Sequence, residues 1–79
     1  MTVITIEVMR LNANFRVVSM HDGPRSEWVL QRFTEHQWCH RASARIRPSL
    51  ISVIRKYAGP VDPAAQEILD SLPTHLGQW

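Results

Sequence analysis

The chain has 79 residues, 44% hydrophobic and 20% charged, which supplies one modest core and one domain over 1–79 and excludes two. A domain this small hides only about 60% of the surface its unfolded chain exposes, so a deep catalytic pocket would be costly and small-molecule catalysis is not expected. The formal charge is only +2, and the single cysteine, Cys39, excludes an internal disulfide.

From Thr2 to Leu11 the residues alternate. Ile4, Ile6 and Val8 share one parity and Thr5 and Glu7 the other, the period of a half-buried strand. The same stretch lacks a basic start, an apolar run and a small-residue cleavage site, and Glu7 and Arg10 interrupt it far short of the roughly 20 apolar residues that span a bilayer. No targeting or membrane segment is expected, and a reducing cytoplasm fits.

Asn12 to Asn14 tolerate the backbone of a turn, and Phe15 to Met20 form a second strand paired to the first. Asp22, Gly23 and Pro24 make the next turn, and a third strand runs from Ser26 to about Phe33. Strict alternation then places Val3, Met9, Val18 and Met20 together on the second sheet face, with Val29 near them. A contiguous apolar patch of that kind marks a contact, either with the C-terminal tail through Leu76 and Trp79 or with another copy of the chain.

At Thr34 the pattern resembles a helix start, because Gln37 completes a capping box and Phe33 and Trp38 occupy the positions of a hydrophobic staple. On a helical wheel Trp38, Cys39, Ala42 and Ile46 fall on one arc, which predicts the buried face of a first helix ending near Arg47. Pro48 opens a second helix whose stripe is Leu50, Ile54 and Tyr57, with Gly59 as its C-terminal cap and Pro60 preventing continuation. Whether these two helices are separate or one kinked helix is left open by the pattern. Asp62 and Pro63 begin a third, with Ala65, Ile68, Leu69 and Leu72 at helical spacing before Pro73, and 74–79 is an irregular tail. The expected fold is α+β: a three-stranded antiparallel β-meander followed by three short helices packed on one face, βββααα.

His36 and His40 stand four apart, as two zinc ligands on one helix turn would, with Cys39 nearby as a third. The metalloprotease motif, however, needs Glu directly after the first His as general base, and Gln37 occupies that position. A structural zinc site would need a fourth ligand, and His21 and His75 have no helpful spacing. No metal, no cofactor and no catalytic residue is therefore assigned, and Cys39 reads as a small core residue rather than a nucleophile.

Charge is concentrated in the middle. Arg32, Arg41, Arg45, Arg47, Arg55 and Lys56 stand against Glu35 alone, whereas beyond Lys56 only Asp62, Glu67 and Asp70 are charged. Eight arginines against one lysine favour planar, bidentate donors suited to carboxylate or phosphate. Arg41, Arg45, Arg47, Arg55 and Lys56 are the expected binding residues, a positive strip on the helices, and Val3, Met9, Val18 and Met20 a second interface.

These features imply a non-catalytic interaction protein whose partner is a protein complex or ribonucleoprotein. A nucleic-acid-binding module using the same arginines is the alternative, weakened by the absence of a legible DNA- or RNA-reading motif. A homodimer is a further option, and a membrane partner is not expected. In size, in lacking catalytic motifs and in its sheet-plus-helix plan, the chain resembles the small cytoplasmic inhibitors that phages and mobile elements encode against host defence complexes, including anti-CRISPR proteins. That resemblance implies an inhibitor.

Overall fold

The computed structural model describes residues 3–22 and 25–74. Its fold is α+β, as the alternation and the helical spacings predict, but with four strands and two α-helices. Strands β1 (Ile4–Arg10), β2 (Phe15–Asp22), β3 (Arg25–Thr34) and β4 (Gln37–Ala44) form one antiparallel sheet in the order β1-β2-β3-β4. Helix α1 (Arg47–Val53) runs into a π-helical segment (Ile54–Ala58), so the second expected helix is one continuous coil with a change of pitch, and α2 (Pro63–Ser71) follows.

The largest correction is the first expected helix, which does not exist. Thr34 pairs with Gln37 across a two-residue turn, and Glu35 and His36 both have positive φ, 51° and 68°. That backbone matches the right-handed twist of the strands it joins, so the turn closes a tight hairpin although neither residue is Gly or Asn. The supposed staple pair, Phe33 and Trp38, are cross-strand partners in it. Long-range pairing along all of β3 outweighs a local capping pattern, because β4 completes the hydrogen bonds of a strand that would otherwise be an open edge.

Two register shifts decide which side chains reach the core. In β1 the pairing passes from Glu7↔Val18 to Met9↔Val17, leaving Val8 as an extra residue. The bulge reverses the parity, so Met9 turns inward and is buried in the core instead of joining Val3, Val18 and Met20 on the second face. In β4 the pairing passes from Leu30↔Ala42 to Gln31↔His40, with Arg41 extra. Trp38 and Ala42, which a helical wheel would unite, therefore occupy opposite sheet faces.

Met9, Leu11, Val17, Trp28, Leu30 and Ala44 form the sheet half of the core, and Leu50, Ile54, Ala58, Ala65, Leu69 and Leu72 the helical half. The π segment explains why Ala58, not Tyr57, continues the stripe. Four α-helical residues overshoot a full turn and four residues of a wider π coil fall short of one, so Ala58 returns to line with Leu50. Tyr57 points outward at 44% exposure. Gly59 ends the coil as expected, at φ 70° and ψ −135°, a conformation that only glycine adopts without strain.

Asp62 is the N-cap residue of α2 by position, yet its side chain makes no capping bond; its backbone N–H donates to Leu11 O at 2.8 Å and so docks the helix start to the end of β1. Of the expected stripe, Ala65, Leu69 and Leu72 are buried and Ile68 is exposed. The tail with Leu76 and Trp79, as well as His75, lies outside the described residues.

Candidate functional site

The described helices pack on the face of Val17 and Leu30, and the candidate site lies on the other face. Val18 and Val29 face each other at its centre, 1% and 0% exposed, although they lie outside the core cluster. Toward the Thr34 end the face becomes cationic and aromatic. The pairings Arg10↔Arg16, Arg16↔Gln31 and Gln31↔His40 set one row across all four strands, and Phe33↔Trp38 sets the next.

Glu7 organises the arginines. Its Oε1 accepts from an Arg10 guanidinium nitrogen at 3.3 Å and an Arg16 nitrogen at 3.4 Å, and Arg16 Nε donates to Gln31 Oε1 at 2.8 Å. Thus oriented, the Arg16 guanidinium lies over the Trp38 ring, 4.5 Å from its centroid, and that of Arg10 at 5.3 Å. Phe33 stacks in a tilted arrangement on the same ring, centroids 5.1 Å apart. One carboxylate shared between two guanidiniums leaves the cluster net positive. Each cation–π contact contributes about 0.5–1 kcal/mol at such exposure, whereas the ion pairs, on side chains 22–57% exposed, contribute little.

Held this way, the cluster offers fixed planar donors beside an aromatic surface, with Phe33 still 42% exposed. Tryptophan and arginine are the residue types that dominate binding energy at interfaces, and side chains already ordered lose less entropy when a partner arrives. The other end of the same face has a hollow of about 220 Å³ lined by Val3, Met20, Arg25, Ser26, Glu27 and Arg45.

The expected arginine strip is dispersed. Arg41 is exposed at the β4 bulge and Arg45 lines the hollow just described. Arg47 is part of the scaffold: a guanidinium nitrogen donates to Asp70 O at 3.2 Å and Leu72 O at 2.8 Å, closing the C-terminal end of α2. Arg55 and Lys56 are exposed on the π segment, with Lys56 over the Tyr57 ring at 5.3 Å. Val3, Val18 and Met20 share the second face, without Met9.

The two histidines are not on one helix turn. His36 sits in the β3–β4 turn and His40 on β4 opposite Gln31, with Cys39 pointing to the other side of the strand. Among the described residues no group of three or more His, Cys, Asp or Glu is gathered to hold an ion, and no helix is long and apolar enough to cross a membrane.

Sequence reasoning missed Arg10, Arg16 and Trp38 as a unit. A signal for half of it was present: Arg10 and Arg16 flank the Asn12–Asn14 turn symmetrically, and a hairpin there must set them opposite each other. Trp38 was hidden by the helical reading of its segment. No family model matches this chain, and neither does any curated protein or solved structure.

Proposed function

We propose that this chain is a small non-catalytic interaction domain that binds a protein complex or ribonucleoprotein through the sheet face centred on Trp38. The observation that carries the reading is the Arg16–Trp38–Phe33 stack, held in place by Glu7 and Gln31 on the face that the described helices leave free. In its narrower form the partner is a host defence complex and the domain its phage- or mobile-element-encoded inhibitor, acting in the cytoplasm. The support for that form is the resemblance in size and plan to anti-CRISPR proteins.

A nucleic-acid partner is the second reading, favoured by Arg25 and Arg45 around the hollow at the far end of the face. The two separate by salt: contacts to phosphates weaken steeply as salt rises, whereas a stoichiometric protein partner gripped by an aromatic and arginine cluster survives moderate salt.

The test compares what the parent, Trp38→Ala and Arg10→Glu/Arg16→Glu capture from the same lysate. A partner held in fixed ratio by the parent and lost by both variants, each still folded by circular dichroism, is the expected result. Equal capture by all three sinks the assignment of this face.

A further inference from the structure

Strand β1 is an edge of the sheet, and its first half is dressed for pairing. Three of the exposed large hydrophobic side chains, Val3, Ile4 and Ile6, lie within four residues here, at 46%, 55% and 52% exposure. Among the described residues only β2 pairs with β1, so alternate N–H and C=O groups along its outer side have no strand partner. Edge strands are commonly blunted by lysine, proline, inward-pointing charge or a bulge. The far end of β1 is protected in that way, by the bulge at Val8 and by the Asp62 N–H bonded to Leu11 O. Ile4, Thr5 and Ile6 carry no such device.

We infer that this edge pairs with the same edge of a second copy of the chain, antiparallel about a twofold axis at Ile6. The strand's own pattern selects that occupant. A twofold at Ile6 sets Ile6 against the partner's Ile6 and Thr5 against the partner's Glu7, and brings Ile4 beside the partner's Val8, where the bulge ends the pairing. The apolar residues on the helix side meet apolar residues, and each carboxylate meets a hydroxyl. A twofold one residue later would oppose Glu7 to the partner's Glu7, and one residue earlier would oppose Val3 to the partner's Glu7, so neighbouring registers carry a like-charge or a polar–apolar mismatch. Self-complementarity of one patch is the condition for a closed, isologous dimer. The product is one continuous antiparallel sheet through both chains, with Ile4 and Ile6 extending the helix-side core across the axis.

Sedimentation of the full chain gives the first measurement, with the parent expected at the mass of two chains and Ile6→Lys at the mass of one. Because Ile6 is half exposed, the lysine variant should keep its far-UV spectrum. Register is read in a Cys39→Ser background: under mild oxidation Ile6→Cys should form a disulfide-linked dimer rapidly, and Thr5→Cys, set against the partner's Glu7, should not. A parent that sediments as one chain at every concentration overturns the inference, as does an Ile6→Lys variant that remains a dimer. Faster cross-linking through Thr5→Cys than through Ile6→Cys overturns the register. If Ile6→Lys fails to fold, the cysteine pair decides alone.

Discussion

Asn12 uses both ends of its amide. Its Oδ1 accepts the N–H groups of Asn14 at 2.9 Å and Phe15 at 3.1 Å, shaping the β1–β2 turn, while Nδ2 donates to Ala58 O and Pro60 O at 3.2 and 3.0 Å. One side chain thus fixes a hairpin and pins the end of the π segment to it. Asn12→Ala should lower stability by about 1–3 kcal/mol in chemical denaturation, since several groups lose their partner together. Asn12→Asp is also expected to destabilise, because a carboxylate keeps the turn acceptor and repels both carbonyls. Arg47 is the second such residue. Arg47→Met keeps the aliphatic stem and removes the bonds to Asp70 and Leu72, so a loss of about 1–2 kcal/mol is expected with partner capture unchanged. Lost capture by a folded Arg47→Met would return this residue to the binding surface.

At the scale of elements, the β3–β4 hairpin is the segment where local chemistry and the fold disagree. Glu35 and His36 occupy left-handed conformations that cost about 1–2 kcal/mol per residue for side chains with a Cβ. Glu35→Asn/His36→Gly supplies the residues that this turn prefers and should raise the denaturation midpoint by the equivalent of about 1–2 kcal/mol. An unchanged midpoint would mean that the turn is relaxed as it stands. The π segment shows the reverse relation, a local irregularity that serves packing, since it returns Ala58 to the sheet. Leu50→Ala, on the fully buried stripe that the segment continues, should cost about 2–5 kcal/mol.

At the scale of the whole molecule, the described helices cover one sheet face and the Met9 end of β1, and among the described residues two surfaces are open to partners: the Trp38 end of the other face, beyond the buried Val18 and Val29, and the Ile4–Ile6 edge. They meet at Glu7, which orients Arg10 and Arg16 and would face the partner's Thr5, but Trp38 lies on β4 at the opposite edge of the sheet, so a dimer through β1 keeps both Trp38 rings accessible. Arg41 and Arg45, the centre of the strip expected from sequence, test how far the binding face extends. Arg41→Glu/Arg45→Glu should leave stability within about 0.5 kcal/mol of the parent, because both side chains are exposed. Capture of the partner should weaken less than in Arg10→Glu/Arg16→Glu. A larger loss from the Arg41 and Arg45 pair would place the centre of the interface at the hollow beside Met20.

The α+β class, β1 to β3, the break at Gly59 and Pro60, and α2 were legible in the sequence because each rests on a short-range cause: alternation, a turn former, a missing N–H, or a helical repeat within a few residues. The fourth strand, the inward turn of Met9 and the Arg10–Arg16–Trp38 cluster were decided by tertiary structure. Residues 37–44 satisfy a helical wheel and a strand ladder equally well on paper. The choice between them falls to the hydrogen bonds that β3 offers along its open side, and no local propensity reports those. A bulge is likewise invisible to a parity count, since one unpaired residue reverses every side chain beyond it, and the cluster needs one residue from each of three strands brought to one face by register.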